Sequence, residues 1–235
     1  MKRKLLAFLT IVFAIVAVIS TGMVISFVVE SRMSARAYAE LAQFANFEGM
    51  PEVDFEALRE INPNIVAWIH LEGTPISYPV VQGQDNEFYL NHLFDGTRNA
   101  AGTLFVDSRN APDFTDRNTI IYGHNMRDGS MFAVLEEFSS QEFFEQNSRM
   151  FLLTPEGSYL IYLFAGYRAN VHANSWQRSF ADADEFEKWI REAKRQSDFT
   201  SEVEVTESDL VVTLSTCSYA FYNARYVVVG VLRRI

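Results

Sequence analysis

Hydrophobic and polar positions divide the chain into three stretches with different periods. Leu5 to Val29 is an uncharged, mostly apolar run, preceded by Lys2, Arg3 and Lys4 and closed by Glu30 and Arg32. At about 1.5 Å per residue, a helix of that length crosses a hydrocarbon core of about 30 Å. A signal-peptide apolar region of about 7–15 residues is shorter. Ala37-Tyr38-Ala39, which could serve as an A-x-A cleavage site, lies well past the charged end. Residues 1–30 therefore read as a basic stub and a retained single-pass anchor in the cell membrane. The basic cluster stays cytoplasmic and everything after Glu30 lies outside.

Residues 31–62 read as a helical approach segment. Ala35, Tyr38, Leu41, Ala42 and Ala45 fall at helical spacings, and Phe55, Leu58 and Ile61 form a second short stripe after Asp54. Asn62-Pro63-Asn64 breaks the pattern, and residues 63–235 follow as one domain written mostly in β periods. Runs of branched and aromatic residues occur at 65–70, 76–81, 103–106, 119–122, 150–154, 159–167, 203–206 with 210–214, and 225–232. Turn-formers separate them, among them Gly73-Thr74-Pro75, Asp95-Gly96, Pro155-Glu156-Gly157 and Tyr222-Asn223. About eight short strands with few helices predict a mostly β fold, a closed or nearly closed barrel. One helix interrupts it between Asp182 and Ser197. Phe186, Trp189, Ile190 and Ala193 there follow i, i+3, i+4, i+7, and Asp182 with Glu185 resembles a capping box.

Charge and cysteine content narrow the chemistry. The chain carries 30 acidic against 20 basic residues, a formal net charge of −10, which argues against a nucleic-acid partner. Its single cysteine allows no intramolecular disulfide, and its four widely spaced histidines with that one cysteine supply no zinc-type cluster. No phosphate-cradling glycine loop is present, so neither a metal nor an organic cofactor is expected. A lone cysteine is either a small buried hydrophobe or a reactive thiol. Outside the cell, where pairing is favoured, function is the better explanation for an unpaired one.

Cys217 closes the run Val211-Val212-Thr213-Leu214-Ser215-Thr216-Cys217-Ser218, whose apolar part reads as a buried strand and whose polar part reads as its exposed end. That position suits attack on a substrate lying across the strand end. His70 and His92 suit surface or edge positions, and His172 lies in a polar loop. His124 follows an apolar strand, Ile120-Ile121-Tyr122, and Gly123, which lets the chain turn so that the imidazole projects at the strand end. Arg225 lies eight residues beyond Cys217, across Tyr222-Asn223. If 210–217 and 225–232 pair antiparallel, it returns beside Cys217 and can donate to an oxyanion; a surface salt bridge is the bland alternative.

Tyr122-Gly123-His124, Thr213-Leu214-Ser215-Thr216-Cys217 and the later Arg225 resemble the three signatures of sortases, the Gram-positive surface transpeptidases. Further stretches are similar to class B members: Ile61-Asn62-Pro63 through Trp68-Ile69, Tyr78-Pro79-Val80-Val81-Gln82-Gly83, Asp85-Asn86-Glu87, and Gly123-His124-Asn125-Met126 with Gly129-Ser130-Met131-Phe132. The resemblance spans residues 55–235. It implies an eight-stranded barrel with a helix between the sixth and seventh strands. It also implies that Cys217 attacks a threonine carbonyl in a C-terminal sorting signal of a surface protein, forming a thioester. His124 would transfer the proton, Arg225 would hold the oxyanion, and an amine of a peptidoglycan precursor or a pilin would accept the acyl group. By the same resemblance Asn86, Leu90, Tyr122, Ser215 and Thr216 line the sorting-signal groove. Some relatives carry an acid where Ser218 stands, and the calcium-binding loop of class A enzymes is not identifiable. Two other functions fit the residues: a Cys-His-Asn/Asp hydrolase with Asn125 or Asp107 orienting His124, and a non-enzymatic β-rich surface module with an incidental cysteine.

Overall fold

A computed structural model describes residues 2–217 and 223–235, with Lys2 and Cys217 described by their backbone. The chain opens on α1 (Lys2–Leu41), whose apolar portion is exposed along its whole length. Among the described residues it is the one helix long and apolar enough to cross a membrane. No glycine or proline lies between residues 23 and 48, and the helix runs without a break across the boundary expected at residue 30. Its last turns already belong to the domain, where Ser34, Tyr38 and Leu41 are buried.

A 3₁₀ turn at 42–44 and a two-stranded ladder of Ala45–Asn46 with Glu52–Val53 lead to α2 (Phe55–Ile61). The Asp54 carboxylate caps α2 by accepting from Ala57 N at 2.9 Å. Eight strands then build the domain: β1 (Ile65–His70), β2 (Ser77–Val81), β3 (Leu104–Val106), β4 (Asn118–Gly123), β5 (Arg149–Thr154), β6 (Gly157–Asn170), β7 (Val211–Cys217) and β8 (Ala224–Arg234). They close into a barrel in the order β8-β6-β5-β1-β2-β3-β4-β7, and β7 returns to β8. Closure leaves the barrel no free edge. Two pairings are parallel, β2 with β3 and β4 with β7.

Both faces of the late strands are covered, which explains why Tyr226 to Val231 reads as a nearly continuous apolar run. Val228, Val212 and Leu214 join the inner cluster with Ala67, Ile69 and Leu163. Val227, Val229 and Val231 point outward and pack with Phe186, Trp189, Ile190 and Ala193 of α4 (Ala183–Gln196), which lies between β6 and β7 as the resemblance implies. The expected cap is present: Asp182 Oδ1 accepts from Glu185 N at 2.9 Å. Glu185 reaches back to Ala181 N rather than to the Asp182 amide.

Val203–Thr206, expected as strand, is not one. Val203 and Val205 do pack on the outer cluster, but side chains bond the backbone of Val203, Glu204 and Thr206 in place of a ladder. Lys194 Nζ donates to the Val203 carbonyl at 2.7 Å, and Arg233 Nη2 to that of Glu204 at 3.3 Å. A third α-helix, α3 (Gln141–Gln146), precedes β5.

Candidate active site

Register brings the three sequence-predicted chemical residues to one place. In the antiparallel β7–β8 ladder Arg225 is the cross-strand partner of Cys217, and such partners lie about 4.5–5.5 Å apart at Cα. In the parallel β4–β7 ladder Tyr122 pairs with Ser215 and Gly123 with Thr216, so His124 comes level with Cys217 from the other side. The backbone of Cys217 is thereby flanked by an imidazole-bearing and a guanidinium-bearing position. Ser218 and Tyr222 lie outside the described residues; Asn223, with φ 58°, enters β8 in the left-handed region.

A cleft of about 240 Å³ opens there. All the sequence-predicted groove residues, Asn86, Leu90, Tyr122, Ser215 and Thr216, line it together with His124 and Arg225. Two details differ from expectation. Ser215 and Thr216 are each only 1% exposed, so these two polar residues of β7 are covered rather than open. Trp176 provides part of the cover by donating from Nε1 to Ser215 Oγ at 3.2 Å. Gly123 does not serve a turn, since it ends β4 without a positive φ. Glycine is needed for room: a Cβ would lie 2.3 Å from Leu104 Cδ2 and 2.6 Å from Phe132 Cδ2.

His124 Nε2 lies 2.7 Å from the Leu90 carbonyl oxygen. A carbonyl only accepts, so Nε2 carries the hydrogen, and the nitrogen that exchanges a proton in the neutral ring is Nδ1. The other histidines lie elsewhere. His70 is half-buried at the end of β1: its ring stacks on Phe47 at 3.9 Å between centroids, and burial pushes its pKa down. His92 stacks on Phe88, and His172 is exposed.

The wall behind Tyr122 is a charged network. Tyr122 OH donates to Asp107 Oδ2 at 3.0 Å, and Arg109 donates to the same carboxylate from Nη2 at 2.7 Å, Nε at 2.9 Å and its backbone N at 3.0 Å. Burial alone would push the Asp107 carboxyl up, but these donors outweigh it and hold it at about 2. Burial and the neighbouring carboxylate push the Tyr122 phenol well above its ordinary range. Four donors occupy the roughly four lone-pair sites of a carboxylate, which removes Asp107 as an orienter of His124. Asn86 Oδ1 accepts from Ser108 N at 2.7 Å, fixing which end of its amide faces the cleft. Phe105, 5.3 Å from the Tyr122 ring, and Trp176 contribute to the site without having been expected. The alternation of β3 could have indicated Phe105; nothing local could have indicated Trp176, which arrives from the loop before α4.

The family model described as "Sortase domain" matches residues 69–233. Sortase B of Staphylococcus aureus is 31% identical over 240 residues, covering 99% of this chain and 98% of that protein. Sortase B of Listeria monocytogenes is 35% identical over 180 residues, 77% of this chain and 73% of its own length. Among solved structures, the S. aureus sortase B–substrate complex superposes with a TM-score of 0.80 at 32% identity, covering 88% of this chain and 99% of that one. Sortase B from Bacillus anthracis in complex with AAEK1 gives 0.79 at 31%, covering 88% and 99%.

Proposed function

The chain belongs to the sortase family, among its class B members, and from that premise we propose that it cleaves a C-terminal sorting signal after threonine and transfers the protein to an amine of the cell wall or of a pilin. The observation that carries this reading is the register that sets Arg225 opposite Cys217 and His124 level with it. The Cys217 thiolate adds to the threonine carbonyl carbon, and the oxygen becomes negative within reach of Arg225. When the intermediate collapses, the C–N bond breaks, a thioester remains on Cys217, and the departing amine takes a proton from His124. An incoming amine gives that proton back to His124 as it attacks the thioester. A donor placed where charge appears only on attack stabilises the transition state more than the bound peptide.

Asn86, Leu90, Tyr122, Ser215 and Thr216 form the groove for the signal in this reading, with the Asn86 N–H₂ as one donor to peptide carbonyls. The substrates are surface proteins bearing the signal, presented outside the membrane to a domain held by α1. Incubating the full chain with threonine-containing sorting peptides and amine acceptors, followed by mass spectrometry, tests the reaction. A Cys217 acyl adduct at the mass of the peptide's N-terminal part is expected, and Cys217→Ala should abolish both adduct and transfer. Retained cleavage in Cys217→Ala would remove the nucleophile and the mechanism with it.

A further inference from the structure

The helix that carries the anchor continues onto the domain and is bound there through its own side chains and backbone. Ser31 Oγ donates to Asp128 Oδ2 at 2.6 Å, and Asn99 Nδ2 donates to the Glu30 carbonyl at 3.0 Å. Two turns later comes Tyr38, buried against the domain. Its hydroxyl donates to the Gly102 carbonyl and lies 3.1 Å from Thr103 Oγ1. Its ring meets that of Tyr78 edge-on, with centroids 5.1 Å apart.

Both contacts of Tyr38, through its hydroxyl and through its ring, lead to His124 by a short path. On one side, Thr103 N donates to the Tyr89 carbonyl at 2.9 Å. Gly102, at φ +61°, is packed so closely on the Tyr89–Leu90 peptide that a Cβ would sit 2.4 Å from Tyr89 O and 2.9 Å from Leu90 O. Leu90 O is the acceptor that fixes the imidazole. On the other side, the Tyr78 hydroxyl accepts from Met131 N at 3.1 Å. Met131, held at φ 57°, pairs with Asn125, and Phe132 N donates to the His124 carbonyl at 2.9 Å. One side chain therefore backs both the carbonyl that orients the ring and the loop that closes on the His124 backbone.

We propose that Tyr38, on the extracellular end of the anchor helix, is a positioning residue for His124. The inference rests on reading His124 as the proton-transfer group. Its physical basis is that a misplacement of about 1 Å at a reacting group can reduce rate by about 10²-fold. Losing the Tyr38 hydroxyl leaves the Gly102 carbonyl without its donor and lets the Gly102–Leu90 layer relax.

The test uses the full chain in lipid nanodiscs and compares wild type with Tyr38→Phe, which keeps the ring on Tyr78. Turnover of a sorting peptide should fall roughly 10- to 100-fold with its KM little changed. The ¹⁵N spectrum of His124 should shift away from a single Nε2–H tautomer. Unchanged turnover with an unchanged His124 spectrum in folded Tyr38→Phe overturns the proposal. A fall in turnover with unmoved His124 signals also overturns it, since that marks a general loss of stability. Should Tyr38→Phe fail to fold, Tyr78→Phe carries the same test through the Met131 arm, with the same two overturning results. The spectrum of the resting protein needs no turnover, so activity persisting in Cys217→Ala would sink the proposed reaction without touching this measurement.

Discussion

Arg225 lies half-buried across the ladder from Cys217, with Nη1 donating to the Ala224 carbonyl at 3.0 Å. That bond occupies one of five N–H donors and helps fix where the planar fork points. Removing a single oxyanion donor typically costs about 10²–10³ in rate, or about 2.7–4 kcal/mol. Arg225→Ala should therefore lower kcat by that order with a smaller effect on peptide KM. Arg225→Lys should rescue poorly, because an ammonium keeps the charge and loses the fork. Steady-state kinetics on both variants check this; wild-type turnover in Arg225→Ala would leave arginine out of the mechanism. Asp107 makes a prediction of a different kind. Its folded pKa of about 2 lies below the unfolded value, so the carboxylate contributes stability that is fully present above about pH 4 and is lost as pH falls toward 2. Arg109 is 60% exposed, so solvent screening reduces the contribution to about 1–2 kcal/mol. Asp107→Asn should be less stable than wild type at pH 7 by at least that much, the difference narrowing toward pH 2 in urea unfolding. At pH 7 the variant should also bind peptide more weakly, because Tyr122 loses the partner that orients it.

At the scale of elements, what a sequence reveals depends on whether the determinant is local. β1 is readable to the residue from Ile65-Val66-Ala67-Trp68-Ile69-His70, and α4 from its stripe and its Asp182 cap, because period and capping are local properties. The juxtaposition of Arg225 and Cys217 is readable because a short connection between two strands dictates antiparallel pairing. Val203–Thr206 misleads because its composition suits a strand while its neighbours offer side chains instead of a ladder. The cover that Trp176 gives Ser215 is a contact across 39 residues and leaves no local trace. Gly123 belongs to the same class: its identity is visible in the sequence, but its reason lies in Leu104 and Phe132, distant along the chain. Gly123→Ala should therefore act through packing, not through backbone freedom. With contacts at 2.3 and 2.6 Å from a new methyl, β4 must move against β3 or Phe132 must leave its place. Overpacking of this kind typically costs about 1–3 kcal/mol. Since His124 is the next residue, kcat should fall further than stability does. A thermal-melt series that includes the compensating Gly123→Ala/Leu104→Ala pair checks the cause, because the smaller Leu104 should restore part of both.

For the whole molecule, the decisive feature is that the candidate membrane span and the first buried contacts of the domain share one helix. The apolar run and its flanking Lys2, Arg3 and Lys4 are legible as a span because hydrophobic length and charge asymmetry are properties of sequence alone. The continuity of α1 through to Leu41 is not: the stripe of Ala35, Tyr38 and Leu41 reads as helical, but periodicity does not show that this stretch and the apolar run form one helix. That difference separates two truncations. A chain beginning at residue 31 loses the membrane segment and keeps Tyr38 and Leu41 in place; one beginning at residue 42 loses both. Fully burying a large apolar side chain contributes about 1.5–3 kcal/mol, so the second truncation should be several kcal/mol less stable. The positioning role of Tyr38 adds a loss of turnover beyond what stability explains. The first truncation should be soluble and turn over peptide in free solution as fast as the full chain does. Comparable kcat and melting temperature in the two truncations would show that the end of α1 is a tether and nothing more. The proposed orientation, with the basic cluster inside, is tested on the same helix: protease added to wall-stripped cells should then digest the domain up to the point where α1 enters the bilayer. The anchored stub of residues 1–30 should survive. Protection of the domain, or its release as a cleaved secreted form, would contradict a retained anchor with the cleft outside.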